Sequence, residues 1–317
     1  MIEIKGGIFN RHFVSGIVIS SLIFLIAGTT SIFGSIGAML APLPILYYYS
    51  KLGRAQGILI FLLSLLVGII TLRMVGSQAT LLNLFLLGSL GPILSEVLRK
   101  NYSIEMTVFY STMFLLALGL IFLFYFSAAE WKGPLNLIES YIADVVKENI
   151  NMYSQLSGSS EQTELLRRNA GDIIKLLTNL FPALVLVGTT FFVWLNVLLG
   201  SLLFQRNGMW YPDFGDLSRW KIPDKVVWFV IVSGILVLLP VRVIKIVGLN
   251  ILIILLFFYL LQGLSIINFY FNKKNMPVFV RVLCYALIFV QQVFLLLVVG
   301  LGLIDVWADF RKLEKAK

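Results

Sequence analysis

Residues 12–50 read HFVSGIVISSLIFLIAGTTSIFGSIGAMLAPLPILYYYS: 39 consecutive residues in which no side chain carries a full charge at pH 7. A helix needs about 20 apolar residues to cross the hydrocarbon core of a bilayer, so this run has room for two crossings. The polar residues Thr29, Thr30 and Ser31 lie between its two halves and mark the place where the chain turns back. The run predicts an integral membrane protein whose apolar stretches have lipid as their solvent.

The composition of the whole chain agrees with this prediction. Hydrophobic residues make up 59% of the 317 residues and charged residues 13%, and the mean hydropathy is +0.94, values that a soluble domain does not reach. Seven more uncharged runs follow the first, at residues 55–72, 74–95, 106–129, 176–205, 226–241, 246–272 and 282–304. The predicted fold is an all-α, polytopic transmembrane helix bundle with eight to nine spans.

The positions of Lys and Arg predict the orientation, because loops on the cytoplasmic side of a membrane are enriched in both. With a cytoplasmic N-terminus and nine crossings, thirteen basic residues lie inside and seven in short outside segments. If the run 226–241 instead enters and leaves on one side, sixteen lie inside and four outside. Charge therefore favours eight crossings and hydropathy favours nine, and both remain open.

Residues 130–175 form the one sizeable water-soluble stretch, with seven acidic and five basic side chains. This charge balance is the reverse of that in the predicted cytoplasmic loops, so the stretch is predicted to face outward. Apolar residues at helical spacing on either side of a turn at 157–160 predict two amphipathic helices. The hairpin either caps the bundle or acts as a lid or docking surface. The predicted regions are an N-terminal membrane half with five spans (1–129), an extracytoplasmic helical hairpin (130–178) and a C-terminal membrane half with three to four spans (179–317).

Helix breaks point to candidate binding sites, because irregular backbone at membrane depth is stable only where protein or a water-lined cavity satisfies it. Pro42 and Pro44 are predicted to interrupt the second span, and Gly91, followed by a proline, the fourth. Glu96 is predicted to form an ion pair with Arg99 or Lys100 near the cytoplasmic surface. The alternative is that these prolines and glycines only kink and pack the helices.

Neutral polar side chains lie deeper in the later spans. Interhelical hydrogen bonds explain most such residues, but the adjacent Gln291 and Gln292 point about 100° apart on a helix and cannot share one partner. One of them is predicted to face a cavity. Asp305, just before Trp307, is predicted to lie at the membrane interface. The complete set of substrate-binding candidates is Pro42, Pro44, Gly91, Glu96, Asn196, Gln262, Gln291 and Gln292.

Signatures of catalysis and cofactor binding are missing from the sequence. It has no glycine-rich phosphate loop, and its single histidine, His12, and single cysteine, Cys284, cannot build a disulfide or a metal site. We expect no enzymatic activity, catalytic residue, cofactor or metal. The net charge of +9 reflects membrane topology, so nucleic acid is not an expected partner. The expected partners are the lipid bilayer, a small-molecule or lipid ligand, and a membrane protein.

One segment resembles a known family. Phe214, Trp220, Ile222, Pro223, Asp224, Val227 and Trp228, preceded by a span that opens with residues 180–185, are similar to the hallmark segment of the YybS-like family of bacterial multi-pass membrane proteins. This resemblance covers nearly the whole chain and implies a protein of the bacterial inner (cytoplasmic) membrane with a domain of unknown function. The N-terminal half of that family is distantly similar to S-components of energy-coupling-factor transporters and to MreD-like scaffolds. In S-components a face of small residues on the first helix docks a coupling subunit, and Gly16 and Ser20 have that spacing here.

Two functional hypotheses follow. The first is a transporter-like protein that binds and takes up a small molecule or lipid precursor without its own ATPase. It predicts an internal pocket bounded by residues such as Pro44, Glu96 and Gln292. The second is an MreD-like membrane scaffold of the cell envelope. It predicts a tightly packed bundle with exposed apolar area concentrated on the hairpin.

Overall fold

The structure is a computed structural model that describes residues 10–29, 32–76, 81–157 and 161–312. Over these residues it contains helices and no β-strand, which confirms the predicted all-α class. Thr30, Ser31 and residues 158–160, where two turns are predicted, lie outside the described residues. The helices are α1 (Arg11–Ala27), α2 (Ile32–Leu40), α3 (Pro42–Leu52), α4 (Arg54–Met74), α5 (Leu81–Leu98), α6 (Ile104–Ala129), α7 (Pro134–Ser157), α8 (Glu161–Arg168), α9 (Ala170–Arg206), α10 (Val227–Leu238), α11 (Arg242–Lys273), α12 (Val278–Val290) and α13 (Gln292–Ala308), with short 3-10 turns at Leu217–Arg219 and Asp224–Val226.

Five of the described helices are long and apolar enough to cross a membrane, namely α4, α5, α6, α9 and α11. The pair α12 and α13, bent by 103°, makes a sixth if it is counted as one span. Helix length therefore supports five to six of the eight to nine predicted spans. The difference lies in short helices: α1 has 17 residues, α10 has 12, and the second predicted span is divided into α2 with 9 and α3 with 11.

Local sequence accounts for several helix ends. Asn10 caps α1, because its side-chain oxygen accepts a hydrogen bond from the Phe13 N–H at 2.8 Å. Ser103 occupies the same position before α6. Gly53 has a φ of +89° between α3 and α4, a conformation that favours glycine and lets the chain reverse there.

Of the two predicted helix breaks, the structure contains the one at Pro42 and lacks the one beside Gly91. The chain leaves α2 at Leu40 and restarts at Pro42, since neither Pro42 nor Pro44 can donate the backbone hydrogen bond that a continuous helix requires. The break predicted in the fourth span beside Gly91 is wrong. Helix α5 continues through Pro92 without interruption, and its flanking helices hold it in place.

The chain divides into two compact units. The first contains Met1–Trp131 and Gly188–Asp213, and the second contains Lys132–Val187 and Phe214–Lys317, so α9 passes from the second unit into the first. The three regions predicted from the sequence stay a prediction. We describe each unit by itself.

The core of the first unit forms where α1, α3, α4 and α5 pack together. Phe24, Ile45 and Phe61 are buried in one apolar cluster there. The small-residue face of α1 lies inside this unit: a Cβ added to Gly16 would lie 2.9 Å from Ile60 Cδ1 and 3.0 Å from Tyr48 Cγ. The face predicted to dock a coupling subunit is therefore covered by the chain's own helices.

In the second unit, α11 packs against both α10 and α13. The predicted amphipathic hairpin also belongs to this unit. Ile142, Val146 and Ile150 of α7 form a buried cluster, against which Ile173 and Leu177 of α9 pack. The apolar spacing in the sequence predicts Ile138, Ile142, Val145, Val146 and Tyr153 for this face. The structure packs the first, second and fourth of these, exposes Val145 and Tyr153, and adds Ile150.

Candidate functional site

Glu96, near the end of α5, is held by side chains from three helices. Its Oε1 accepts hydrogen bonds from the Tyr49 hydroxyl at 2.9 Å and from Arg54 Nε at 2.9 Å, and its Oε2 accepts one from Arg54 Nη2 at 2.6 Å. Arg99 Nη1 lies 3.5 Å from Oε1, which confirms the predicted pair. The two-point contact with Arg54 fixes the turn between α3 and α4 on α5. The carboxylate is thus occupied by the protein itself.

Four of the predicted site residues meet at the break between α2 and α3. The carbonyl of Met39 accepts a hydrogen bond from Asn196 Nδ2 at 3.1 Å. A Cβ added to Gly91 would lie 2.9 Å from the carbonyl oxygen of Pro42, and Pro44, two residues further along α3, is also buried. Asn196 lies ten residues before Arg206 on α9, or about 15 Å of helix, which is about half of the hydrocarbon thickness. The break is therefore about half a hydrocarbon thickness from the nearest charge on α9, and Asn196 satisfies a carbonyl there.

Several buried polar atoms in the first unit have no hydrogen-bond partner in the described part of the chain. Asn196 Oδ1 is one, and five helical hydroxyls are the others: Ser20, Ser21, Thr107, Ser111 and Thr112. Helical hydroxyls usually donate to a carbonyl one turn back. Ser64 and Ser89 in the same unit do so, at 3.0 and 2.8 Å.

Gln262 organises a buried polar network in the second unit. Its Oε1 accepts a hydrogen bond from the Ile222 N–H at 3.0 Å. Its Nε2 donates to Asp305 Oδ2 at 3.0 Å and to the Gly302 carbonyl at 3.2 Å. One fully buried amide thereby joins α11, α13 and the segment before α10.

Asp305 and Arg311 form an ion pair inside this network. Arg311 Nη2 lies 2.8 Å from Asp305 Oδ2, and both side chains have no exposed surface. Asp305 Oδ1 also accepts a hydrogen bond from the Phe310 N–H at 3.0 Å. The sequence predicts an interfacial position for Asp305, whereas the structure buries its side chain and pairs it with Arg311.

The other amino group of Arg311 ties the chain after α13 to the segment before α10. Arg311 Nη1 donates to the carbonyls of Ser218 at 3.0 Å and Trp220 at 2.8 Å, and to Ser265 Oγ at 2.8 Å. Ser265 in turn donates to the carbonyls of Leu217 and Trp220. Because these carbonyls belong to an irregular segment, side chains replace the partners that a helix would supply.

Close backbone packing allows the network to form. A Cβ added to Gly302 would overlap the carbonyl oxygen of Tyr259, and one added to Gly263 would overlap that of Val298. Helices α11 and α13 therefore cross with their backbones in contact, and only glycine fits at the two positions.

Gln291 and Gln292 lie apart from this network. They occupy the bend between α12 and α13, and both are exposed. The structure therefore brings together Pro42, Pro44, Gly91 and Asn196 in the first unit, with Glu96 nearer the helix ends. In the second unit it places Gln262 in the buried network and the adjacent glutamines at the bend.

No local pattern in the sequence predicts Arg54 as the main partner of Glu96, or Ser265 and Arg311 as members of the buried network. Arg311 was counted only as one of several basic residues after the last apolar run. The one signal that could have found it is an acidic residue followed six positions later by a basic one. That pattern is weak, because the other partners lie 40 or more residues away.

Two titratable groups in the segment between α9 and α10 have altered properties. The hydrogen bond from the Ser218 hydroxyl to Asp216, 2.6 Å long, holds the pKa of that carboxyl below its ordinary value, against the smaller opposing effect of burial. Burial raises the pKa of the Tyr211 phenol, whose hydroxyl donates to the Val197 carbonyl at 2.7 Å. Both groups hold the segment in place.

The family whose description reads "Predicted membrane protein (DUF2232)" matches residues 18–306 of the chain. The chain belongs to this family. Among curated proteins, a relative is the "Uncharacterized protein YybS" of Bacillus subtilis (strain 168), which is 25% identical over 314 residues, covering 96% of this chain and 99% of the relative. The resemblance inferred from the segment around Trp220 is thus confirmed. No solved structure matches the chain.

The DUF2232 match includes the α2–α3 break, Glu96, Gln262 and Asp305, but ends before Arg311. The description of the family gives a membrane location and no activity. The predicted likeness to S-components of energy-coupling-factor transporters stays a prediction.

Proposed function

We propose that this protein is a membrane scaffold of the cell envelope, without enzymatic activity, that presents a helical hairpin to partner proteins. The observation that carries the proposal is that side chains predicted to bind a ligand are instead bonded to other residues of the chain. Glu96 accepts hydrogen bonds from Arg54 and Tyr49, and the Asn196 amide donates to the Met39 carbonyl. The Gln262 amide is bonded within the buried network of the second unit. These side chains maintain the fold.

The hairpin offers a surface for partners. One face of α7 is packed against α9, but apolar side chains beside that face remain uncovered. Tyr141 is 66% exposed and Met152 48%, and Val145 between them is also exposed. Apolar surface on a stretch this rich in acidic residues favours contact with another protein.

The second unit supports a topology of eight crossings. Gln262 contacts Ile222, and 20 residues separate Gln262 from Arg242 on α11, about 30 Å of helix. The chain therefore traverses the unit once through α10 and its preceding turn, and returns through α11. Arg311, after α13, contacts the Trp220 carbonyl, so it lies at the end of the unit from which α10 starts. The bent pair α12–α13 begins and finishes at that end, so it makes no net crossing.

This arrangement reconciles charge with hydropathy. With the N-terminus in the cytoplasm, seventeen basic residues lie inside and three in short outside segments, apart from the hairpin. The run 226–241 crosses, and the last apolar run is the re-entrant one. We place the protein in the bacterial inner membrane with the hairpin outside.

Cysteine labelling tests the topology in a Cys284→Ser background. Lys312→Cys should react with a membrane-impermeant maleimide only in inverted vesicles, and Lys245→Cys only in intact cells. Labelling of both positions from the same side would contradict this arrangement, in which the run 226–241 crosses and the last apolar run does not.

Photocrosslinking in native membranes tests the scaffold function. A photoreactive amino acid at Tyr141 or Met152 should give a discrete protein adduct, whereas one at lipid-facing Leu66, which is 56% exposed, should not. The absence of adducts at both hairpin positions would count against the scaffold.

A second candidate function, transporter-like binding and uptake of a small molecule or lipid precursor, is favoured by the unpartnered buried polar atoms of the first unit. Thermal-shift measurements on purified protein with a broad ligand panel test it. A ligand-induced shift lost in Ser111→Ala, but retained in the control Ser64→Ala, would favour uptake over the scaffold.

A further inference from the structure

The bend between α12 and α13 has an unusual setting. The two helices turn by 103° at Gln291, which has extended backbone angles of φ −105° and ψ 112°. Neither proline nor glycine lies beside it, so local sequence does not force the turn. Tertiary or quaternary packing must stabilise it.

The bend lies in the middle of an apolar stretch. Residues 282–304 carry no charge, and the nearest charged residues are Arg281 and Asp305. The turn between α10 and α11 is different, because Arg242 and Lys245 follow it at once and mark contact with water. A bend centred in 23 uncharged residues belongs in the hydrocarbon region. Broken backbone is stable there only when protein covers it or when it lines a water-filled cavity.

The side chains at the bend are not covered in the described part of the chain. Gln291 and Gln292 are exposed, and the flanking Val290 and Val293 are 77% and 66% exposed. In addition, the N–H groups of Gln292 and Val293 open α13 with no preceding helical turn to accept their hydrogen bonds, whereas the next N–H, that of Phe294, donates to the Gln291 carbonyl at 3.1 Å. The bend thus places two exposed side-chain amides and the N–H groups of Gln292 and Val293 inside an apolar rim.

We propose that this bend is a dimer interface occupied by the same bend of a second copy of the chain. A glutamine amide carries both donors and an acceptor, so two copies related by a two-fold axis satisfy each other's amides. Both glutamine side chains are exposed, so one bonds the partner's glutamine while the other reaches the partner's backbone. The apolar rim then packs around these bonds, as in other membrane helix interfaces. The proposal does not depend on the scaffold function.

Disulfide crosslinking in membranes tests the proposal on the full-length chain. In a Cys284→Ser background, Gln291→Cys should form a covalent dimer under mild oxidation. Leu66→Cys, an exposed position on α4, provides the control and should remain monomeric. Subunit counting by single-molecule photobleaching in lipid bilayers should show dimers of the wild-type protein.

The variant Gln291→Leu/Gln292→Leu removes the amides but keeps apolar bulk. We expect its dimer dissociation constant to rise about tenfold, whereas Gln205→Leu on α9 leaves it unchanged. A monomeric wild-type protein in bilayers, or crosslinking of Gln291→Cys to a different protein, would overturn the proposal. So would reaction of Gln291→Cys with a water-soluble maleimide without crosslinking, because that shows a water-filled passage. The wild-type count and the cysteine variant decide the matter if the leucine variant fails to fold.

Discussion

Replacing Arg311 by methionine removes the cation from the buried network while keeping an unbranched side chain. Asp305 then remains buried without a cationic partner, keeping among the described residues its hydrogen bonds from Gln262 and from the Phe310 N–H. The carbonyls of Ser218 and Trp220 lose their bonds to Arg311 as well. Breaking a buried ion pair on one side costs about 3–5 kcal/mol, so we expect Arg311→Met to lower the free energy of unfolding by that amount.

Equilibrium denaturation of the purified protein in lipid–detergent micelles measures this loss. The matched control is Lys312→Met, the exposed neighbour, which should change stability by less than about 0.5 kcal/mol. The double variant Asp305→Leu/Arg311→Met removes both charges and should be more stable than Arg311→Met alone, because no unpaired charge remains buried. Equal effects of Arg311→Met and Lys312→Met would refute the inference that the network holds the fold together.

A local measurement distinguishes the network from a general loss of packing. The segment before α10 contains Arg219, Lys221 and Lys225, where trypsin cleaves. Arg311→Met should accelerate cleavage there, because the segment loses the side chain that anchors its carbonyls. Unchanged cleavage in a destabilised Arg311→Met protein would place the effect elsewhere.

Three further predictions concern single contacts. Gly302→Ala forces a methyl group against backbone and should cost at least about 1–3 kcal/mol in denaturation experiments, whereas Gly300→Ala, where an added Cβ meets nothing within 4 Å, should be neutral. Asn196→Leu leaves the Met39 carbonyl without its side-chain donor and should cost about 1–3 kcal/mol by the same measurement; no loss would show that the helix break needs no donor. The folded-state pKa of Asp216 is depressed, so its stabilising effect is full above the unfolded pKa of about 4 and is lost as pH falls through the lower folded value. The acid-induced rise in cleavage of its segment by pepsin, which is active at low pH, should therefore be smaller in Asp216→Asn.

The amphipathic hairpin shows what apolar spacing can predict. Ile142 and Val146 recur one turn apart, and the structure packs them against α9. Such a pattern is local and therefore readable, since residues three or four apart share a helix face whatever surrounds them. The side chains beside this face, such as Tyr141, gave no comparable signal.

The polar candidates show where the sequence stops being sufficient. Gln262, Asn196 and Glu96 were identified as residues that need partners, because a polar group in an apolar span is costly unless it is bonded. Which partners they take depends on helices brought together from distant parts of the chain. The carbonyl of Met39 lies 157 residues from Asn196, and Arg54 lies 42 from Glu96.

Helix breaks show the same division. Pro42 and Pro92 look alike in the sequence, yet the helix ends beside the first and continues through the second. Proline removes one hydrogen bond in either case, and neighbouring helices decide whether the chain bends or remains straight.

By itself, the sequence determined that this is an all-helical membrane protein, where its apolar runs lie and which side chains need polar partners. These properties follow from the free energy of transferring each residue between water and lipid, which depends on composition along short stretches. Only the tertiary structure decided that Asp305 pairs with Arg311, that α5 runs through Pro92 and that the chain bends at Gln291. Hydrogen bonds and close packing act over a few ångströms in space, and the contacts they select join residues that no local pattern connects.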